Sequence, residues 1–254
     1  MKRKNRNIAV IILAAGLGKR MNSDKAKVLH EVLGRPMIGY VVETARRIAG
    51  KDVIVVVGHQ AQKVMDAVSA DADVLFAYQD KQLGTGHAVR CALEVIPEYV
   101  DEIVILCGDV PMLRAETVQR LFDDHDAAKR DLSLLAVTVD NPKGYGRVLI
   151  DENRRLIKIV EEADATPEQK KIRTVNAGIY CVTKKFLTES LCRIRPDNVQ
   201  GELYLTDIIE IGYREKHAVG VLFGDDGDEV MGVNSYPDLI AAEKIMGLRM
   251  SKNP

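Results

Sequence analysis

The residue types best suited to chemistry gather just after the first apolar run of the chain. In Leu13–Met21, LAAGLGKRM, the small residues Ala14, Ala15, Gly16 and Gly18 let a backbone turn press against a ligand and present its N–H groups. Lys19 and Arg20 add positive charge that the backbone cannot supply, and Lys25 and Lys27 follow closely. Cations crowded beside one glycine turn repel each other unless an anion or solvent screens them. A polyphosphate is the economical partner, and a solvated basic loop is the competing reading. Two familiar phosphate loops are excluded. A Walker A loop needs Ser or Thr where this chain has Arg20, and the dinucleotide fingerprint needs a glycine where it has Met21.

An acidic counterpart comes much later, in VILCGDVPML, where Asp109 stands just past an apolar run between Gly108 and Pro111. In open α/β sheets ligands bind outside the carboxyl ends of the strands, so Asp109 and the glycine loop are expected to face one crevice. A lone carboxylate among cations reads as an ion pair or as a ligand for Mg²⁺, which takes one or two protein oxygens and keeps places for phosphate and water. No Ser–His–Asp or Cys–His constellation is evident. His30, His59, His87, His125 and His217 are scattered along the chain.

The elements that must position these groups are read from apolar runs. Strands are expected at 8–13, 52–57, 73–78 and 102–107, with helices near 36–49, 60–69 and from the glycines of LGTGHAVRCALEVI onward. Repeated β-then-α units argue for a mostly parallel sheet covered by helices on both faces, an α/β fold. The second half has strands at 131–140, 146–150, 155–160 and 174–183, and helices near 184–193, 203–215 and 235–248. This pattern predicts a mixed sheet with an appended substrate-side lobe, in one domain.

Composition narrows the class. The 254 residues are 46% apolar, enough to bury a substantial core. The 36 basic and 37 acidic residues nearly cancel, which argues against a nucleic-acid or membrane-surface binder. Cys91, Cys107, Cys181 and Cys192 lie far apart in apolar segments and read as reduced thiols of a cytosolic protein. MKRKNRN before IAVIILAAG imitates a secretory signal, but the glycine loop that follows at once favours a buried first strand behind a solvated tail. No apolar run approaches the ~20 residues of a membrane span.

The segments LAAGLGKRMNSDKAKVLHEVLGRPM, QLGTGHAV, GDVPML, GYGRV, IVEEADAT, VNAGIY, GELYLTDII and GVNSYPDL follow one another in the order found in bacterial N-acetylglucosamine-1-phosphate uridylyltransferases. From about Ile8 to Leu248 the chain resembles their amino-terminal nucleotidyltransferase domain. The resemblance implies a Rossmann-like fold in a single domain over 1–254, with 1–7 as a flexible tail and a small β-rich lobe on the sugar side. It implies uridylyl transfer from UTP to N-acetylglucosamine 1-phosphate, with pyrophosphate expelled and Mg²⁺ as cofactor. Leu13, Ala14, Ala15 and Gly16 would line the nucleotide, and Arg20 and Lys27 would act catalytically on its phosphates. Gln79, Gly84 and Thr85 would meet the uridine side and the neighbouring sugar. Asp109 and Asn234 would hold the metal, with Cys107 and Gly108 completing the wall beside them. Gly146, Glu161 and Asn176 would read the sugar hydroxyls and acyl amide, supported by Glu202 and Tyr204. His30 and His87 fall inside family motifs as structural donors.

Plainer roles compete with several of these. Asn234 could cap the helix starting near Ser235, Gln79 and Thr85 could be ordinary loop and cap residues, and Glu161 could belong to an exposed acidic cluster. The implied chemistry nevertheless suits the inventory. A sugar phosphate is already an oxyanion near neutral pH, so it needs relief from charge repulsion and alignment more than a strong base. The expected partners are UTP and a sugar 1-phosphate, with no nucleic acid and no membrane; a homo-oligomer stays open. A transferase for another sugar phosphate or base and a non-catalytic sugar-nucleotide sensor remain alternatives, while the missing third glycine counts against a nicotinamide reductase.

The chain departs from the family pattern at a few places. Cys107 stands where Tyr is common, KAKVL replaces a Leu-Pro-Lys arrangement while Lys27 keeps its place before VLH, Lys19 stands where Thr is frequent, and Ala177 removes a hydroxyl. These changes bear on substrate choice more than on reaction type. Bacterial members usually continue into a left-handed β-helix that acetylates glucosamine 1-phosphate, and acetyl transfer is not assigned to this sequence.

Overall fold

The computed structural model describes residues 7–21 and 23–252. Residues 1–6 of the expected tail lie outside the described residues. Asn7 is not free: its carbonyl accepts the N–H groups of Asp101 and Glu102 at 2.9 and 3.2 Å.

Aliphatic runs become strands and amphipathic stretches become the helices between them. The order is β1 (Ile8–Leu13), β2 (Glu31–Val32), β3 (Arg35–Pro36), α1 (Met37–Ala49), β4 (Val53–Val57), α2 (Ala61–Ser69), β5 (Leu75–Tyr78), α3 (Thr85–Leu93) and β6 (Glu102–Cys107). There follow α4 (Ala115–Ala127), β7 (Leu132–Thr138), β8 (Arg147–Ile150), β9 (Leu156–Val160), β10 (Thr174–Thr183), α5 (Lys184–Leu191), α6 (Asp207–Arg214), β11 (Val219–Gly224) and α7 (Tyr236–Lys252). The main sheet runs β11-β7-β10-β6-β1-β4-β5, with β8 on β10 and β9 on β8. Pairing is parallel from β6 through β1 and β4 to β5, and between β7 and β11. β10 alone on this path runs antiparallel to its neighbours. The sheet is thus mostly parallel, with the antiparallel β8–β9 pair leaning out as a small lobe.

Side chains alternate across a strand, and β1 shows the consequence. Ile11 belongs to the apolar core under α3, α5 and α6, whereas Val10 and Ile12 belong to the core under α1, α2 and α4. A strand buried on both faces must be apolar throughout, which is why IAVIIL and VIVVV carry no polar residue. Each fully buried aliphatic side chain contributes roughly 1.5–3 kcal/mol. On α1, Met37, Ile38, Val41, Val42 and Ala45 recur at helical spacing and form the buried stripe. No helix among the described residues is long and apolar enough to cross a membrane.

Several features differ from the sequence expectation. The two-residue strands β2 and β3, which pair antiparallel, are too short to show a periodic pattern. α4 and β11 were not anticipated. The buried face of α4 includes Thr117 and His125 beside Val118 and Leu121, so its apolar period is faint. β11 carries glycine at its second and last positions, Gly220 and Gly224, which weakens a strand signature. The helix expected at 203–215 begins at Asp207. The residues before it run extended along the loop ahead of α3 instead: Leu203 donates to Leu83 O, Gly86 donates to Leu203 O, both at 2.8 Å, and Leu205 donates to Thr85 Oγ1 at 3.0 Å.

Candidate functional site

A cleft of about 530 Å³ opens at the carboxyl ends of β1, β5 and β6, where a parallel sheet leaves room for a ligand. Its floor begins with the glycine turn. Gly18 has φ +63°, and a Cβ there would lie 2.6 Å from Lys27 Cβ. Only glycine lets the turn fold down onto the stem of Lys27. Lys27 itself sits on a short 3₁₀ turn whose other residues, Val28 and Leu29, are buried, so the turn is anchored and the ammonium points to the cleft.

The charged groups meet there. Lys27 Nζ lies 2.6 Å from Asp109 Oδ2 and donates to Asn234 Oδ1 at 3.1 Å, and Arg20 donates to the same amide oxygen at 2.9 Å. Two positive side chains face one carboxylate, a local surplus of positive charge that suits an anion of high charge density. Asp109 is further tied to the far segment, because Val233 N donates to its carbonyl at 2.9 Å. Asn234 does not cap the following helix. Ser235 does so: its hydroxyl accepts Asp238 N at 3.4 Å, while Asp238 Oδ2 accepts Asn234 N at 3.0 Å. The Asn234 side chain is thereby left for the cleft.

Of the expected cations, Lys25 turns away and pairs with Glu31 at 3.3 Å, in a largely exposed position. A convergence of all the loop's positive residues is therefore corrected: Lys25 is held at the surface beside β2, where Glu31 pairs with it. The Lys19 side chain lies outside the described residues.

The remaining sequence-expected residues fall into two neighbouring groups. Leu13, Ala14, Ala15, Gly16, Gln79, Gly84, Thr85, Cys107 and Glu202 line the same cleft as Arg20, Lys27, Asp109 and Asn234. Gly84, at φ +107°, meets the backbone of Leu203 so closely that a Cβ would lie 2.6 Å from its carbonyl, which brings Glu202 to the rim. The Thr85 hydroxyl is engaged in the clasp to Leu205. Gly108 lies one step behind the wall, donating to Leu13 O at 2.9 Å.

Gly146, Glu161, Asn176 and Tyr204 do not line this cleft but form a second group beside it. Asn176 N donates to Gly146 O at 2.9 Å, and a Cβ on Gly146 would approach Glu161 Oε2 to 3.2 Å. Glu161 accepts the Thr206 hydroxyl at 3.1 Å, and burial raises its pKa above the ordinary carboxylate range. The Asn176 amide is held by Tyr180 OH and Gly178 N, both at 2.8 Å, where β10 shifts register. Tyr204 donates to Gln200 at 2.6 Å. Cys107 joins the groups, its thiol reaching Gly178 O at 3.5 Å. Burial first, and then the Asp109 carboxylate, push that thiol up to about 12. It stays protonated near neutral pH and is no nucleophile.

Sequence reasoning passed over Gln82 and Gln200, which also line the cleft. Gln82 lies inside QLGTGHAV and donates to Ala15 O at 3.4 Å, but a glutamine in a loop carries no signal of its own. It also missed Arg147, in GYGRV, which is 1% exposed and bound to Glu162 at 2.7 Å and to Tyr145 O.

A parallel sheet whose strand ends gather cations, a carboxylate and a glycine turn defines a nucleotide-handling α/β domain. The chain belongs to the MobA-like NTP transferase domain family, which matches residues 10–177. It is 42% identical over 243 residues to the bifunctional protein GlmU of Trichlorobacter lovleyi, covering 96% of this chain and 53% of that protein. With GlmU of Desulfotalea psychrophila it shares 40% identity over 253 residues, 100% of this chain and 74% of that protein. With GlmU of Geobacter metallireducens it shares 43% over 246 residues, 97% and 52%. The chain thus spans about half the length of most of these curated relatives. A Bacillus anthracis structure, provisionally described as a glucose-1-phosphate thymidylyltransferase, has the same fold at TM-score 0.72 and 21% identity, covering 94% of both chains.

Nucleotidyltransferases generally use a divalent metal, and the donors here fit one. Asp109 Oδ2 and Asn234 Oδ1 already converge within 3.1 Å of a single cation, the Lys27 ammonium. Both are hard oxygens, and so small a protein set leaves places for phosphate oxygens and water.

Proposed function

We propose that this chain transfers a uridylyl group from UTP to N-acetylglucosamine 1-phosphate, giving UDP-N-acetylglucosamine and pyrophosphate. The observation that carries the reading is the meeting of Arg20, Lys27, Asp109 and Asn234 at one point of the cleft, although Arg20 and Asn234 are 214 positions apart. The likeness to GlmU proteins over nearly the whole chain supports the choice of substrates. In this reading residues 1–254 act as one domain in the cytoplasm, which the continuous main sheet and the reduced thiols suit.

The chemistry follows from the groups present. A phosphate oxygen of the sugar phosphate attacks the α-phosphorus of UTP. A new P–O bond forms there while the bond to the β-phosphate breaks, and pyrophosphate carries the electron pair away. The nucleophile is already ionised, since the second pKa of a phosphate monoester is about 6. Arg20 and Lys27 lower the repulsion between the two anions and neutralise charge gathering on the leaving group. The backbone of Leu13–Gly16 and the Gln79 side chain hold the nucleoside, while Gly84 and Thr85 shape the far wall. Cys107 and Gly108 form the near wall, and Gly146, Glu161 and Asn176, backed by Glu202 and Tyr204, receive the sugar. Asp109 and Asn234 would hold Mg²⁺, which supplies positive charge to the phosphates when bound.

The test is a panel of nucleoside triphosphates and sugar 1-phosphates assayed by pyrophosphate release. UTP with N-acetylglucosamine 1-phosphate is the expected best pair. Cys107 and Ala177 motivate the nearest alternative, another sugar phosphate or base, and a best rate with dTTP or glucose 1-phosphate would overturn the narrow reading. Binding of UDP-sugar without pyrophosphate release from any pair would indicate a sensor instead.

A further inference from the structure

Gln79 follows β5 and is 4% exposed, with its backbone N–H bonded to Val57 O at 2.8 Å. Its side-chain Nε2 lies 3.0 Å from Gly84 O and 3.0 Å from His87 Nδ1. A backbone carbonyl can only accept, so the end of the amide facing Gly84 is the NH₂ group. Its second hydrogen is then directed at His87, whose Nδ1 must receive it. The imidazole proton consequently sits on Nε2, on the side of Cys91 Sγ at 4.0 Å. The Gly84 carbonyl is itself fixed, because it also accepts Ala88 N at 3.1 Å at the start of α3. The other end of the amide, Oε1, bonds no donor among the described residues, and it is not among the polar atoms sealed from solvent without a partner. Gln79 lines the cleft, and His87 stands behind it.

We propose that His87 is a positioning residue for nucleobase choice: with the Gly84 carbonyl it locks the Gln79 amide so that an acceptor, Oε1, faces the base. An acceptor there pairs with the imide N–H of a uracil-type base. The corresponding ring nitrogen of cytosine is an acceptor and would meet Oε1 lone pair to lone pair. A site built on one fixed hydrogen bond rejects a base that lacks the matching donor, because the buried polar group is left unpaired. His87 need not touch the nucleotide to do this. The inference rests on the reading of the cleft as a nucleoside triphosphate site.

The test uses the whole chain with two substitutions. His87→Leu removes the acceptor, while His87→Asn places Oδ1 close to where Nδ1 was. The preference for UTP over CTP is read from pyrophosphate release and, separately, from calorimetric affinities of the two nucleotides. It is expected to fall about tenfold in His87→Leu and to return to within about twofold of the parent in His87→Asn, with KM for the sugar phosphate unchanged. Long-range ¹H–¹⁵N spectra of the parent protein should show the His87 ring protonated on Nε2 only. A ring protonated on Nδ1, or an unchanged preference in His87→Leu, would overturn the proposal. If no substrate pair releases pyrophosphate, the proposed reaction falls, while the ring spectrum and the calorimetric preference still decide the role of His87.

Discussion

Asp109 and Lys27 show how much one atom's placement decides. They share a partly buried contact of 2.6 Å, with Asn234 and Arg20 closing the group. Asp109→Ala is expected to abolish pyrophosphate release, a loss of about 10³-fold or more, because it removes both the oxygen proposed for the metal and the partner that holds Lys27. A variant turning over at the parent rate would refute the metal assignment. Gly18→Ala should lose activity more than stability. Its positive φ costs about 1–3 kcal/mol when a side chain is present, and the added Cβ would push directly on Lys27; kcat beside a melting curve measures the split. At this scale the sequence was informative where chemistry and spacing coincide. The glycine loop and Asp109 each follow an apolar strand, and strand ends share a crevice. Asn234 was legible only through family resemblance, since its neighbours Ser235 and Asp238 give the whole stretch the look of a helix cap. Lys25 looked equivalent to Lys27 by type and differed only by which way the chain turned.

Elements carry their own tests. α4 lays His125, fully buried, between Ser133 on β7 at 3.0 Å and Glu102 on β6 at 3.3 Å. His125→Ala takes a polar partner from a buried carboxylate and leaves a cavity, so denaturant melts should show a loss of about 3–5 kcal/mol. A histidine and a threonine on the inner face are also the reason that α4 escaped a reading based on apolar period. The long aliphatic strands were legible because both their faces are covered. At the start of α6, burial first, then Glu210 and neighbouring aspartates, push the Asp207 carboxyl up to about 6. An acid whose pKa is raised on folding binds its proton more tightly in the folded state. Its contribution to stability is full below the unfolded value of about 4 and is lost as pH rises through about 6. Asp207→Asn should therefore stabilise the protein relative to the parent at pH 8 but not at pH 4, as Tm measured across that range would show. The same gain at both ends would refute the shift.

Across the whole molecule, one nine-stranded sheet carries the cleft, with Arg20 and Lys27 at the ends of its strands. A ligand that bridges the cleft and the neighbouring group around Glu161 should stabilise the entire domain. At about a hundred times its Kd such a ligand adds about 2.7 kcal/mol, or roughly 5–10 °C in Tm for a chain of this size. UDP-N-acetylglucosamine with Mg²⁺ should give that shift, and EDTA should reduce it; a nucleotide effect indifferent to EDTA would count against a metal at Asp109 and Asn234. Because no disulfide joins cysteines among the described residues, the same melts should be indifferent to reductant.

The position of Asn234 has a consequence during synthesis. Strands β1, β4, β5 and β6 and the Lys27–Asp109 contact all come from the first 109 residues, yet the amide that completes the group is made more than a hundred residues later. On the ribosome, a half-made chain can therefore hold the carboxylate and the lysine but not their third member. On the proposed reading, the pair of metal oxygens is complete only once the segment around residue 234 has left the exit tunnel.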